Sequence, residues 1–474
     1  MEGLELREYQ REGTAWLLFL AKYNLSGILA DDMGLGKTVQ TLCALTDSMA
    51  SSSIRHSLIL CPGSVLHHWA TEFRTHFQRS GLSVEIITPK NTSFHAPILL
   101  ASYSSILKFP DFPQLLYLIL DEGHVLRNPK TVLYARVAKL QACRKIMLSG
   151  TPIQNGVMEL WALFNILMPG LLGSQEEFGR KYKADLASSR NASTRAHGDF
   201  EFRDTKAALG RLEQLHKQVL PFILRRLKTD VLKDLPEKVI QDYTFQLTDL
   251  QSSLLHAYQA ETHGQLEELS YLRKLSTHPC LVSSAPCLLE HSSKLTALSE
   301  LLRDCEIAEE FGGNHKALVF SRSCETLDLV VKLVLTPLFP VTKWARIDSR
   351  APALQRGQIA STFDTSAGAQ VLLLTTAAGG LGLNLTAADI VIFLDHDWNP
   401  AVDMQAMDRA HRLGQRNVVN VYRLVTEGTI EETILGLQNF KKRLAEALIT
   451  EENASTAQFD AASLAVDLAR SSTK

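Results

Sequence analysis

What the 474-residue chain lacks narrows its class before any motif is read. No apolar run reaches the roughly 18 residues of a helix that spans a membrane, and the opening MEGLELREYQ is too polar for a secretory leader. The seven cysteines are odd in number and stand singly, matching neither a disulfide framework nor a zinc spacing. The chain is therefore expected to be intracellular and reduced. Neither sign of charge is in excess: 49 Lys and Arg face 51 Asp and Glu, a net charge of −2. That balance speaks against a nucleic-acid protein coated in basic residues, although a local basic track would not show in the total. No internal repeat of about 20–50 residues is present, which excludes a solenoid. The length suits two or three domains, each large enough for its own core.

What is there centres on DDMGLGKT, Asp31–Thr38. An apolar run, Gly27–Ala30, precedes it and a helical pattern, Val39–Ala44, follows. Strand, glycine loop, lysine, hydroxyl and helix form the order of a P-loop, whose backbone N–H groups cradle phosphates at a helix N-terminus. Lys37 would reach the β- and γ-phosphates and Thr38 would hold Mg²⁺. The strict pattern has glycine where this chain has Asp31, and a glycine turn with no ligand would carry the same letters. LDEGH, Leu120–His124, removes most of that ambiguity. Leu115–Leu120 reads as a buried strand that delivers Asp121 and Glu122 at its C-terminal end, about 85 residues after the first motif. There Asp121 would bind Mg²⁺ through water and Glu122 would polarise the attacking water.

Leu6, Tyr9, Gly13, Trp16, Leu17 and Leu20 recur at helical spacing, so the chain opens with an amphipathic helix carrying Gln10, whose amide is able to read an adenine edge. Strand-like runs follow at Ser57–Cys61, Val84–Thr88, Ile98–Ser102, Leu115–Leu120 and Lys145–Leu148, alternating with helical stretches. That alternation predicts a mostly parallel sheet with helices on both faces. SGTPIQN, Ser149–Asn155, is a polar loop at a strand end. From Phe178 to Leu220 the alternation breaks, and a helical insertion with a polar loop, 187–204, is expected. Arg225, Arg226 and Lys228 then form a basic cluster, either a solvated face or a phosphate-facing one.

A second series holds Ala317–Ser321, Trp344–Asp348, Val371–Thr376, Ile390–Asp395 and Val419–Val425, predicting a second sheet domain with a cleft between the two. TTAAGGLGLNLTAAD places a glycine loop at a strand end, and QAMDRAHRLGQ spaces Arg409 and Arg412 at i, i+3, on one expected helical face. Across a cleft from a P-loop, those guanidiniums would stabilise a transferring phosphate. A long closing helix is expected, with Thr429 and Glu432 as capping box and Ile430, Ile434, Leu437, Leu444 and Leu448 as apolar stripe. His67-His68 and Asp395-His396-Asp397 lack further ligands at a recognised metal spacing.

LREYQREG, DDMGLGKT, LCPGSVLHHWATEF, LDEGH, LSGTPIQN, TTAAGGLGLNLT and QAMDRAHRLGQ, in this order, resemble the Swi/Snf-type ATPases, superfamily-two helicase relatives that translocate on double-stranded DNA without separating its strands. The resemblance runs from Leu6 to about Asn453. It implies an α/β fold of two tandem RecA-like lobes with helical insertions: 1–235 as the ATP-binding lobe with an insertion at about 156–230, 236–290 as linker and helical region, 291–450 as the second lobe, and 451–474 as a polar tail. It further implies ATP and Mg²⁺ as cofactors. Gln10 would contact adenine, Asp31, Asp32, Met33, Gly34, Leu35, Gly36, Lys37 and Thr38 would form the nucleotide loop, Asp121 and Glu122 would drive hydrolysis, and Arg409 and Arg412 would act as arginine fingers.

Gly123 in place of the usual alanine, LDHDWNP, and the closing GLQNFKK…EENAS look like the Mot/BTAF-type branch, which strips TATA-binding protein from DNA. That branch grips its target with a long N-terminal array of helical repeats, whereas this chain begins just before the Gln10 helix. The chain is expected to be a fragment, a truncated reading or a reduced relative. Asp348-Ser349-Arg350 departs from the family's usual Asp-Gly-Ser. The expected activity is that of a DNA-dependent ATPase and duplex translocase acting on DNA-bound TATA-binding protein, in the nucleus and without a membrane partner. A nucleosome remodeller, an RNA helicase and an inactive binding scaffold are the alternatives.

Overall fold

The computed structural model describes residues 5–50, 52–89, 94–109, 112–150, 157–182, 214–259, 265–307, 315–365, 368–379 and 383–449. The polar loop at 187–204, most of SGTPIQN (151–155), residues 380–382 of the second glycine loop and the tail from 451 lie outside these residues, as do the side chains of Leu444 and Leu448.

Two compact units emerge, one made of the residues up to Lys233 together with those from Lys441 on, the other running from Asp234 to Phe440. In the first, seven strands pair: β1 (Gly27–Leu29), β2 (His56–Cys61), β3 (Val84–Ile86), β4 (Ile98–Ser102), β5 (Leu115–Asp121), β6 (Ala142–Leu148) and β7 (Ile223–Leu224). Their order is β3-β4-β2-β5-β6-β1-β7, every pair parallel. Successive side chains of a strand point to opposite faces. Ile28, Leu58, Leu60, Leu118 and Leu120 therefore enter one core, while Leu29, Ile59, Cys61, Ile119 and Leu148 enter the other. A sheet buried on both faces needs continuous apolar strands, which is why these segments read as runs rather than alternations.

The second unit holds β8 (Lys238–Phe245), β9 (Ala317–Ser321), β10 (Trp344–Ile347), β11 (Val371–Thr375), β12 (Ile390–Phe393) and β13 (Val419–Thr426), in the parallel order β10-β11-β9-β12-β13-β8. Val319, Leu373 and Ile392 face one core with Leu295 and Leu298, and Leu318, Phe320, Leu372 and Phe393 face the other.

The stretch expected as a linker, 236–290, opens with a strand: β8 pairs residue by residue with all of β13 and forms an edge of the second sheet. Its middle residues are exposed, so KVIQDYTF carries no apolar run. The helical pattern of Leu250–Lys274 resolves into two helices, Asp249–Gln259 and Gln265–Thr277. The closing helix spans Ile430–Ile449, but its expected cap is shifted. Glu432 accepts from the Gly428 N–H at 3.3 Å, and Thr429 accepts from the Glu431 N–H at 3.3 Å. Leu437 is exposed, and Glu431 is buried instead, paired with the Lys294 ammonium at 2.5 Å.

Candidate functional site

Beyond β1 the chain turns through Ala30–Gly36 into helix α2 (Lys37–Ala50). Gly34 (φ 89°) and Gly36 (φ 78°) are left-handed, a region glycine enters without strain. A Cβ on Gly36 would also lie 2.5 Å from the Gln10 amide nitrogen. Leu35, fully buried, anchors the loop from beneath. The Lys37 ammonium donates to the backbone carbonyls of Asp31 (2.6 Å) and Asp32 (3.2 Å). Burial lowers its pKa, opposed by Glu122, Asp31, Asp121 and Asp32. The lysine of one motif thus lies in the field of the carboxylates of the other. Thr38 is half-buried in the first turn of α2.

Helix α1 (Glu8–Lys22) lays Gln10 on this loop. The Gln10 amide donates to the Leu35 carbonyl at 3.2 Å and accepts from the Arg7 N–H at 3.1 Å, so both of its ends engage the chain itself. Asp31 is fully buried, and its carboxylate receives a fork from Arg226: Nε at 3.0 Å and Nη2 at 2.6 Å. Arg226 therefore does not form a phosphate-facing cluster with Arg225 and Lys228; it is half of an ion pair inside the unit. Removing one partner of such a pair strands a buried charge, at about 3–5 kcal/mol. Met33 meets the next motif, since a Cβ on Gly150 would lie 2.8 Å from its Cγ.

β5 delivers Asp121, whose carboxylate accepts from the Trp69 indole N–H at 2.7 Å and from the Glu122 N–H at 3.0 Å. Tyr103 donates its hydroxyl to the Asp121 carbonyl at 2.8 Å. Burial, and then Glu122, push the Asp121 carboxyl up to about 6, against the Trp69 hydrogen bond and Lys37. Glu122 is left-handed (φ 50°, ψ 47°), a strained backbone for a side-chain residue. Its carboxylate stands 3.3 Å from His124 Nδ1. The glycine that follows has no room for more: a Cβ on Gly123 would fall 2.2 Å from Met147 Cγ.

In the second unit the expected helical face of Arg409 and Arg412 is not formed. Helix α3 (Pro400–Met407) ends before them, and both lie in the turns that follow. The Gln415 amide holds these turns open, donating to the carbonyls of Thr386 (3.2 Å), Ala388 (2.7 Å) and Ala410 (3.2 Å). Arg409 is buried, and its carbonyl accepts from the Leu385 N–H at 3.1 Å. Arg412 donates to the Leu383 carbonyl at 3.5 Å. In the departing Asp348-Ser349-Arg350 loop, Asp348 accepts from the Arg350 N–H at 2.8 Å while the Arg350 guanidinium pairs with Asp328 at 3.1 Å.

Two family descriptions match the chain: an SNF2-related domain over residues 9–303, which runs past Lys233 into the second unit, and a helicase conserved C-terminal domain over residues 293–414. The chain belongs to the SNF2-related family. It is similar to TATA-binding protein-associated factor 172 of Homo sapiens, 40% identical over 95% of this chain and 28% of that one. It is also similar to TATA-binding protein-associated factor MOT1 of Saccharomyces cerevisiae (38%, covering 96% and 28%). A SWI/SNF-related matrix-associated actin-dependent regulator of chromatin, subfamily A member 1, of Mus musculus is 32% identical, with 95% and 44% covered. The chain spans little more than a quarter of the length of the first two relatives. Among solved structures, the Sulfolobus solfataricus SWI2/SNF2 ATPase core in complex with dsDNA aligns with a TM-score of 0.46 and 29% identity, covering 95% of this chain and 94% of that one.

In this SNF2-related chain the first unit brings Gln10, the 31–38 loop, Asp121 and Glu122 together, as the sequence motifs lead one to expect. Four further residues belong to the same network: Gln40, Trp69, Tyr103 and Arg226. Trp69 lies inside a quoted motif, LCPGSVLHHWATEF, and the one indole N–H in that motif was the available signal for it.

Proposed function

We propose that the chain is an ATP-hydrolysing motor driven by double-stranded DNA, acting on DNA-bound TATA-binding protein in transcription, in the nucleus. The observation that carries the chemistry is Lys37 at the mouth of a glycine loop, within the field of Asp121 and Glu122. Polyphosphate would draw the Lys37 ammonium from the Asp31 and Asp32 carbonyls, and the loop's N–H groups would take the remaining oxygens. Glu122, on its strained turn, would orient and polarise the attacking water, with His124 beside it to fix the carboxylate. Mg²⁺ suits this site, because the Thr38 hydroxyl and Asp121 carboxylate are hard oxygen donors, and when bound it would neutralise phosphate charge. Gln10 would turn from the Leu35 carbonyl toward adenine. Arg409 and Arg412 would act as arginine fingers on the transferring phosphate, a role that rests on the resemblance of QAMDRAHRLGQ.

TATA-binding protein is favoured as the target over a nucleosome because relatives named for that association are 38–40% identical, against 32% for a chromatin regulator. The test is ATP turnover of the purified chain with no nucleic acid, duplex DNA, single-stranded DNA and RNA. Strong stimulation by duplex alone is expected, with displacement of a third strand or of TATA-binding protein but no unwinding of a plain fork. Equal rates in all four conditions, or stimulation by RNA alone, would remove the duplex motor.

A further inference from the structure

We propose that Arg226 is a positioning residue that presets the nucleotide loop for phosphate, and that Asp31 stands in place of the P-loop's first glycine in order to receive it. The proposal rests on the nucleotide-binding reading above and says which residue shapes the loop.

One guanidinium ties together three elements that lie 186, 195 and 217 residues before it in sequence. Its Nε and Nη2 fork onto the Asp31 carboxylate; Nη2 also reaches the Gln40 side-chain oxygen on α2 at 2.9 Å; and Nη1 donates to the Tyr9 carbonyl on α1. The guanidinium lies over the Tyr9 ring, 5.3 Å from its centroid. Gln40 closes the circle by donating to the Asp31 carboxylate at 3.2 Å and to the Leu35 carbonyl at 3.3 Å. The backbone on either side of Arg226 runs beside the loop. Ala30 N–H bonds the Leu224 carbonyl (2.6 Å), Asp32 N–H bonds the Arg226 carbonyl (3.0 Å), and Lys228 N–H bonds the Asp32 carboxylate (3.2 Å).

These contacts matter because of where Lys37 sits. Its acceptors are the carbonyls of Asp31 and Asp32, and both of those residues have their carboxylates held by the 226–228 segment. When phosphate takes the ammonium, the loop loses those two bonds. The fork on Asp31 holds the first turn in shape before that exchange, so less ordering is left for the phosphate to impose. The planar guanidinium matches a carboxylate at two points, and a lysine at the same place would keep the charge but lose the fork.

The experiment compares the unaltered chain with Arg226→Lys and, as a gentler variant, Gln40→Met. It reads titration with fluorescent ADP, saturating ATP turnover, and amide hydrogen exchange of residues 30–38 without nucleotide. If the fork sets the loop, the competent fraction in Arg226→Lys falls to about a tenth, so ADP affinity falls about tenfold. Saturating turnover should change less than about threefold, because bound nucleotide restores the loop. Loop amides should exchange faster while β2, β4 and β5 keep their protection, and Gln40→Met should show the same pattern at smaller size. Wild-type ADP affinity and loop protection in both variants would overturn the assignment, and so would loss of protection throughout the first sheet. The exchange measurement needs no nucleotide. A wild-type chain that fails to hydrolyse ATP would sink the motor while leaving the role of Arg226 to be decided by the loop amides.

Discussion

The two candidate loops are built in opposite ways. In the first unit, charge is held by charge: Asp31 by Arg226, and Lys37 among four carboxylates. In the second, the turns carrying Arg409 and Arg412 take their shape from an uncharged amide, Gln415, which donates to three carbonyls and accepts from the N–H groups of Arg416 and Asn417. A pocket that must receive a polyanion at a fixed place has to balance its own buried charges beforehand, because unpaired ones are costly. The turns of Arg409 and Arg412 rest on that amide, and the Asp408 carboxylate beside Arg409 is engaged by the Lys238 ammonium at 3.1 Å.

Changes on each side sharpen this contrast. A large effect is expected from Glu122→Gln, which keeps shape and removes the carboxylate: ATP binding should persist while DNA-stimulated turnover falls about 10²–10⁴-fold. Comparable turnover in the two proteins would mean that another group activates the water. Gln415→Leu attacks the neutral frame. It leaves three carbonyls and two N–H groups to find new partners, and a displacement of about 1 Å at the arginines would cost about 10²-fold in turnover. Because the change lies in the other unit, ADP affinity should hold; a fall in both would break the division of labour.

A smaller effect is expected at Gly123→Ala. The new Cβ meets Met147, itself fully buried, and overpacking of this kind costs about 1–3 kcal/mol in urea unfolding. Combined with Met147→Ala, the loss should be less than the sum of the two single changes. A strictly additive pair would show that the two side chains do not compete for space.

The smallest change concerns pH. Asp121 must be ionised to serve as an oxygen ligand, and burial pushes its carboxyl up to about 6 in the free protein, so kcat/KM should fall as pH drops through that value. Its folded pKa is raised, so with respect to this group the fold is more stable when protonated and loses that contribution as pH rises from about 4 through 6. Trp69→Phe removes a hydrogen bond that favours the carboxylate. The acid limb of the kcat/KM profile should then move to higher pH, by up to about one unit. An unmoved limb would exclude Asp121 as the group that titrates there.

Much of the scaffold was legible because doubly buried strands must be apolar throughout: β2, β4, β5, β9, β11 and β12 all announce themselves as runs. β7 and β8 did not. β7 is two residues long, and β8 is an exposed edge strand whose pairing with β13 satisfies the backbone while its side chains face water. The glycine loop was legible from its residues and spacing, yet Arg226 was not, because its partner Asp31 lies 195 residues away and nothing local distinguishes it from Arg225. The i, i+3 spacing of Arg409 and Arg412 suggested a helix. Tertiary contacts decided otherwise, since an amide six residues after Arg409 takes the carbonyls that fix the turn.

The proposed division between a unit that binds nucleotide and an arginine loop that drives its hydrolysis is tested most directly by Arg412→Ala beside Lys37→Ala. Each would be measured for ADP affinity and for ATP turnover on duplex DNA. Lys37→Ala should lose turnover because the ammonium that would face the β- and γ-phosphates is gone. Arg412→Ala should bind ADP as the wild type does, since ADP has no γ-phosphate, while turnover falls about 10³-fold or more, as for arginine fingers in other nucleotide hydrolases. Normal turnover of Arg412→Ala on duplex DNA would contradict the account.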